Sequence, residues 1–79
     1  MKLGNYKHYK GNMYKVIGLA KHTESEEKLV LYYSLGGSPD LVEEYGKIPY
    51  FVRPYKMFNE KIIYNDRETE RFCYVGTEK

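Results

Sequence analysis

The chain has 79 residues, one cysteine and a formal net charge of +2 at pH 7. This length predicts one domain over residues 1–79, and a lone cysteine excludes an internal disulfide scaffold. No apolar run approaches the roughly 18 residues of a membrane span, and the N-terminus lacks a signal-type apolar stretch. We therefore expect a cytoplasmic protein with no membrane partner.

The charges are segregated along the chain. Residues 1–22 carry five lysines and no acid, residues 23–46 carry six acids and one lysine, and residues 47–79 carry seven bases and five acids. A basic front and an acidic middle are typical of a polyanion site. The same pattern arises from a lysine-bearing hairpin beside two acidic surface loops, which is the simpler interpretation, and the polyanion site stays open as the alternative.

Short β-strands are predicted through the first half of the chain. Residues 6–10 read as a strand that turns at Gly11 and Asn12, two good turn formers. Residues 13–22 alternate like a strand, with Gly18 in the middle. A glycine inside a strand pattern is typical of a bulge or a sharp bend.

The second half of the chain continues the pattern. Residues 29–35 are apolar or aromatic on both faces, which predicts a central strand. Residues 50–53 predict a strand that ends at Pro54, which lacks the amide donor a ladder needs. Two further strands are predicted over residues 61–64 and 71–75.

One helical piece is predicted inside the long segment 36–49. Ser38 suits the N-cap, Pro39 suits the first helical position and Gly46 can end the helix. This predicts about two turns over residues 39–45.

These elements predict an all-β domain, a small antiparallel SH3-like barrel with one short helix or 3₁₀ turn. The folded core is expected over residues 6–75, with residues 77–79 as a frayed end. A short 3₁₀ turn after Pro54 is expected to plug one end of the barrel. Eight side chains are predicted to fill the core: Val16, Ala20, Val30, Tyr32, Val52, Met57, Phe58 and Ile62.

Several blocks between residues 6 and 72 form a recognisable pattern. They are YKHYKGNMYKV at 6–16, AKHTE at 20–24, LVLY at 29–32, VRP at 52–54, MF with a nearby Glu at 57–60, and RF at 71–72. Together they resemble a small bacterial family known as domain of unknown function 1653. The resemblance implies a compact, mostly β domain and brings no established activity, cofactor or substrate.

The chain departs from that family pattern at three places. Phe51 stands where the family usually has tryptophan, which keeps an aromatic ring. Asn65 and Asp66 replace a frequent Asp-Gly pair, and both pairs suit turns. The chain is longer than the family pattern between residues 35 and 50, so the predicted helix is interpreted as a local insertion.

The most suggestive polar set is His22, Glu24 and Arg53. An arginine before Pro54 has a restricted backbone, and its guanidinium fork suits a carboxylate or a phosphate. A histidine with a nearby carboxylate is a candidate general base. Three interpretations are open: a structural ion pair between Arg53 and Glu24, a ligand site, or a catalytic pair.

A second set combines aromatic and basic residues in the predicted first hairpin. Rings that stack on bases beside lysines that meet phosphates are typical of a single-stranded nucleic-acid platform. Tyrosines can also hold a peptide or a methylated amine, or they can simply fill the core. The members are Tyr6, His8, Tyr9, Lys10, Tyr14 and Lys15.

No complete catalytic motif is present in the sequence. Cys73 has no nearby base and is expected to be a buried structural thiol. One cysteine and two histidines fall short of a structural zinc site, so no metal and no cofactor are predicted.

We therefore interpret the chain as a non-enzymatic binding module for a ligand, a nucleic acid or a protein partner. An anionic ligand is expected to use Arg53 with Lys7, Lys10, Lys15 and Tyr9. The alternative is a small enzyme or a nucleotide-binding or phosphate-binding protein that uses His22, Glu24 and Arg53.

Overall fold

A five-stranded antiparallel sheet dominates the computed structural model, which describes residues 1–77. The sheet has the order β4-β3-β2-β1-β7, and β5 pairs with β6 as a separate hairpin. The strands in chain order are β1 (Gly4–His8), β2 (Met13–Lys21), β3 (Lys28–Ser34), β4 (Phe51–Pro54), β5 (Lys61–Tyr64), β6 (Arg67–Glu70) and β7 (Phe72–Gly76). The last two residues of the predicted frayed end lie outside the described residues.

The predicted helical piece is present as two short turns. A 3₁₀ turn (Pro39–Leu41) continues into helix α1 (Val42–Tyr45), which ends at Gly46. The φ of Gly46 is +96°, a backbone conformation that residues with a side chain rarely adopt and glycine adopts readily. The turn expected after Pro54 is present as the single α-helical turn α2 (Tyr55–Phe58).

The bulge expected near Gly18 is confirmed. The register between β2 and β3 shifts between Val16 and Gly18, so β2 bends in its middle. The strand β6 was not predicted, because its sequence RETE has no apolar alternation. It pairs only with β5, through a turn at Asn65 and Asp66, and it needs no apolar face since it covers no core.

The predicted closed barrel is not confirmed. Within residues 1–77 no ladder of hydrogen bonds joins β4 to β7, so these strands are the two edges of an open sheet. The structure establishes a mostly β domain with antiparallel sheets and short helical turns.

Aromatic rings make up most of the core. The rings of Phe58 and Phe72 stack in parallel with 4.0 Å between their centroids. Tyr6 and Tyr32 both pack edge-on against Phe58, each at 5.4 Å. The core cluster consists of Tyr6, Val16, Val30, Tyr32, Phe58 and Phe72, so four of the eight predicted core residues are confirmed.

Two of the predicted core residues are on the surface. Val52 is 54% exposed and Met57 is 44% exposed, while Ala20 and Ile62 are half-buried. The apolar character of Val52 predicts a core position, but the pairing of β4 with β3 turns its side chain to the other face of the strand. Its neighbour Arg53 pairs with the fully buried Val30, so the charged residue faces the core and the valine faces solvent.

Candidate functional site

Arg53 is a charged side chain on the core side of an edge strand. Its Nε donates a hydrogen bond to the hydroxyl of Tyr32 at 3.2 Å. Its guanidinium carbon lies 5.4 Å from the centroid of the Phe72 ring, in a cation–π contact. Two buried aromatic residues on β3 and β7 therefore hold the guanidinium in one place.

The guanidinium of Arg53 has no carboxylate partner within residues 1–77. The ion pair that the structure shows within residues 1–77 joins Arg71 to Glu60, with 3.0 Å between Nη2 and Oε1. The two terminal amino groups of Arg53 make no hydrogen bond to any described residue. A half-buried charge is normally paired, so this fork of donors is suited to a carboxylate or a phosphate from outside the chain.

His8 lies beside this arginine. Its ring packs edge-on against Phe72 at 4.9 Å, and its Nδ1 accepts a hydrogen bond from the amide of Lys10 at 3.2 Å. Since Nδ1 accepts, the neutral imidazole carries its proton on Nε2 and can donate from there. Burial lowers the pKa of His8 below its ordinary value, and the positive charges of Arg53, Arg71 and Lys10 lower it further.

Arg71 provides a second guanidinium near His8. Its Nη2 is used by Glu60, but its Nε is buried and has no hydrogen-bond partner among the described residues. Positive charges from β4, from the residue before β7 and from the first turn therefore lie close enough to His8 to lower its pKa.

An aromatic groove of about 350 Å³ adjoins Arg53. The strand β4 and the residues before it form one wall, while the 3₁₀ turn and α1 form the other. Tyr32 belongs to both features, because it lines the groove and accepts the hydrogen bond from Arg53. The lining residues are Tyr32, Leu41, Tyr45, Pro49, Tyr50, Phe51 and Val52.

The structure does not bring His22 and Glu24 to Arg53. Both residues are exposed in the turn between β2 and β3. The Nδ1 of His22 accepts hydrogen bonds from the amides of Glu24 and Ser25, each at 3.2 Å, and so closes that turn. Across residues 1–77 no hydrogen bond or ion pair links His22 or Glu24 with Arg53.

The lysines of the first hairpin divide between the two sides of the sheet. Lys7 follows the buried Tyr6 and Lys15 precedes the buried Val16 along their strands. Because successive side chains point to opposite faces, both lysines lie on the outer face of the sheet. Arg53 faces the core side. The sheet therefore separates Lys7 and Lys15 from the guanidinium.

Lys10 and Tyr9 lie nearer to the site. The Nζ of Lys10 is 5.8 Å from the centroid of the Tyr9 ring, and that ring packs against His8 at 4.5 Å. Lys10 also contributes to the lowered pKa of His8. Of the three predicted lysines, Lys10 is the one linked to the surroundings of Arg53.

Other centres of chemistry are weak. Cys73 was expected to be buried and is exposed on β7. Desolvation and a hydrogen bond with Glu70 raise the pKa of its thiol, which disfavours the reactive thiolate. The described part of the chain holds no group of three side chains able to bind a metal, and none of its helices is long and apolar enough to cross a membrane.

The fold and the site define a small antiparallel β domain with an aromatic core and one inward-facing arginine. A family model described as a protein of unknown function (DUF1653) matches residues 4–74. The chain belongs to this family, as the sequence pattern indicated. A crystal structure of a family member from Bordetella bronchiseptica is similar, with a TM-score of 0.83 and 30% identity over 100% of this chain and 92% of that one. No curated protein matches the chain.

The sequence singled out Arg53 and, in a separate set, His8 and Tyr14, but it did not predict that these residues lie together with Tyr32 and Phe72. His8, Tyr14, Tyr32 and Phe72 all belong to the blocks on which the family resemblance rests, and they meet in space. Tyr14 packs edge-on against Tyr32 at 5.5 Å and against Phe72 at 5.7 Å. The blocks of the family pattern were therefore the sequence signal for this cluster, because they lie on the strands β1, β2, β3, β4 and β7 that bring these residues together.

Proposed function

We propose that this domain is a non-enzymatic binding module that holds an anionic group of its ligand at Arg53. The unpaired guanidinium, fixed by Tyr32 and Phe72, is the observation that carries the proposal. An arginine already held in place loses little side-chain entropy when it binds, so a single carboxylate or phosphate gains more from it. The donor Nε2 of His8 lies on the same side and adds to the positive potential.

A small enzyme that uses His22, Glu24 and Arg53 is the alternative. A general base must come within hydrogen-bond reach of the group it deprotonates. His22 closes the turn between β2 and β3, which favours a structural role for its imidazole. A phosphate ester that perturbs the NMR signals of His22 as strongly as those around Arg53 would favour the enzyme.

We further propose that the open sheet is a partly open form of an SH3-like barrel. The order β7-β1-β2-β3-β4 leaves β4 and β7 as its two edges, and the bulge in β2 lets that strand serve both halves. Arg53 on β4 reaches Phe72 on β7, so a cation–π contact bridges the seam where hydrogen bonds are missing. In this arrangement the seam is the binding surface.

A nucleic acid is one partner that this surface suits. A phosphate at Arg53 would leave the neighbouring phosphate of a single strand near Lys10 and the ring of Tyr9. Binding of this kind weakens only shallowly as salt rises, because few phosphates are contacted. The lone cysteine supports the cytoplasm as the compartment of the module.

The proposal is tested by titrating the protein at low salt with inorganic pyrophosphate and following backbone amide signals by NMR, together with the Arg53 Nε–H signal in the unmodified protein. We expect saturable shifts around Arg53 and His8. Arg53→Met should weaken binding about tenfold or more, because a charge-assisted hydrogen bond contributes roughly 1.5–3 kcal/mol. The affinity of Arg53→Lys for pyrophosphate should lie between those of the unmodified protein and Arg53→Met.

Arg67→Met is the matched control, because Arg67 is exposed and lies on the separate hairpin. It should bind like the unmodified protein. Melting curves establish that each variant is folded. Equal responses of the Arg53→Met and unmodified proteins would contradict the proposal.

A further inference from the structure

We propose that the aromatic groove beside Arg53 holds a nucleobase, so that the module recognises a nucleoside monophosphate unit with its phosphate on Arg53. This inference rests on the proposed function, since it places the anionic group at the same guanidinium. It adds the groove as the part of the site that selects the ligand.

The groove offers flat, accessible rings. Tyr45 is 60% exposed and Tyr50 is 55% exposed, and they stand on the two walls with Phe51 between them. The ring of Tyr33, on the outer face of the sheet, packs against that of Tyr50 at 6.1 Å and 89°. Tyr32 and Phe51 are the groove rings on the same face as Arg53. Rings held in this way stack on a base, because every base has a flat face that a tyrosine can cover.

The spacing between groove and guanidinium suits one nucleotide. Phe51 and Arg53 are two residues apart on β4, which places them about 7 Å apart along the strand and on the same face. A single ribose bridges a gap of this size. Tyr32 joins the two parts, since its ring packs against Phe51 at 5.6 Å and its hydroxyl accepts from Arg53.

Charge fixes the orientation of the ligand. Asp40, Glu43 and Glu44 are exposed on the 3₁₀ turn and α1, which build the wall away from Arg53. The three carboxylates do not line the groove, but their negative charges repel a phosphate from that end. The phosphate is thus directed to Arg53 and the base to the groove.

A short groove favours a nucleotide over an extended peptide. A volume of about 350 Å³ lies at the low end of small-molecule sites. The edge that a peptide strand would join has four residues and ends at Pro54, which offers no amide donor. A peptide carboxylate is therefore treated as a competing outcome of the test.

The test compares adenosine monophosphate, adenosine and inorganic phosphate as NMR probes of the full chain. We expect the monophosphate to shift the signals of Arg53, Tyr45 and Tyr50 together, and phosphate to shift those of Arg53 alone. Tyr50→Ala should weaken binding of the monophosphate by about fivefold to a hundredfold. The same variant should leave phosphate binding unchanged.

Ile63→Ala is the control, because Ile63 is an apolar side chain on the separate hairpin that is 73% exposed. It should bind the monophosphate normally. A 5′-phosphorylated oligoadenylate distinguishes a free nucleotide from the end of a nucleic-acid strand as the source of the monophosphate unit. Tighter binding than that of the monophosphate, with shifts at Lys10, identifies a strand end, while equal binding identifies a free nucleotide.

Two results would overturn the inference while the proposed function stands. One is binding of phosphate and monophosphate at Arg53 with no shift at Tyr45 or Tyr50. The other is stronger binding of N-acetylphenylalanine than of the monophosphate, which would identify a peptide carboxylate as the occupant. If no probe shifts the signals of Arg53, both the inference and the proposed function are overturned.

Discussion

Arg53 illustrates how the phase of a short strand is decided one residue at a time. Apolarity alone places Val52 inside, and the pairing with β3 places it outside. A sheet edge accepts an inward-facing charge because such a charge also blocks pairing with another chain. The hydrogen bond to Tyr32 and the contact with Phe72 offset the loss of hydration, so the arginine stays on the core side.

His8 gives a prediction at the scale of one titrating group. Its pKa is lowered in the folded chain by burial and by nearby positive charges. The unfolded chain therefore binds a proton more readily than the folded one. The stability that comes from the neutral imidazole is complete above about pH 6.5 and is lost as the pH falls through the lowered value.

Substitution of His8 by Asn tests this sign. The amide oxygen of asparagine can still accept from the Lys10 amide, but the side chain no longer titrates. Urea unfolding between pH 7.5 and 5 should show a smaller loss of stability for His8→Asn than for the unmodified protein. His22→Asn, which keeps the acceptor for the Glu24 amide, is the matched control and should retain the loss.

At the scale of elements, the close approach of β1 and β7 depends on a glycine. Gly4 has a φ of +130°, and a Cβ added there would lie 2.8 Å from the carbonyl oxygen of Gly76. The carbonyl oxygen belongs to the backbone of β7 and the Cβ is bonded directly to the backbone of β1, so the two atoms cannot separate without a shift of a strand. Gly4→Ala should therefore lower the free energy of unfolding by about 1–3 kcal/mol.

Gly18→Ala is the paired comparison, because a Cβ there meets nothing within 4 Å and the φ lies outside the left-handed region. This change should be neutral or stabilising by about 0.4–1 kcal/mol, since it restricts the unfolded chain. Denaturant unfolding of both variants measures the difference. A Gly4→Ala protein as stable as Gly18→Ala would show that β1 and β7 can separate freely.

The elements differ in how well the sequence could predict them. β2 and β3 were readable because their alternation and aromatic content report directly on a half-buried surface. β6 was not, since the polar strand of a two-stranded hairpin has no buried face. The helical turn over residues 39–45 was readable from Pro39 and Gly46, which act on the backbone whatever surrounds them.

At the scale of the whole molecule, the site could be predicted only in part. Arg53 was identifiable because a guanidinium before Pro54 is conspicuous in the sequence itself. His8 and Phe72 are its spatial neighbours through long-range pairing of β1 with β7, at register His8 to Phe72. Local patterns carry no information on that pairing, so His22, the histidine expected beside Arg53, was the wrong one to place near it.

The charge pattern also has its explanation at this scale. The acidic middle of the chain is divided between the turn after β2 and the segment that builds the outer wall of the groove. The basic front is divided by the sheet, with Lys7 and Lys15 outside and Lys10 near His8. Runs of charge in the sequence therefore become separate patches, and the positive charges that act on His8 come from Arg53, Arg71 and Lys10.

The segment between β3 and β4 contributes residues to the groove but is not part of the sheet. None of the residues in its 3₁₀ turn or in α1 is buried. Deletion of residues 37–47 leaves a short connection, and the rings of Tyr33 and Tyr50 still face each other across it. A shorter loop also costs less entropy to close, so the free energy of unfolding should change by no more than about 1 kcal/mol.

The shortened protein should unfold cooperatively in urea and bind pyrophosphate at Arg53 like the full chain. It should lose the groove, because Leu41 and Tyr45 form one of its walls. A second variant, with residues 37–47 replaced by a glycine-serine segment of the same length, separates the effect of sequence from that of length. A non-cooperative transition in both variants would mean that the segment is part of the folding core, whereas loss of pyrophosphate binding in folded variants would mean that it positions Arg53.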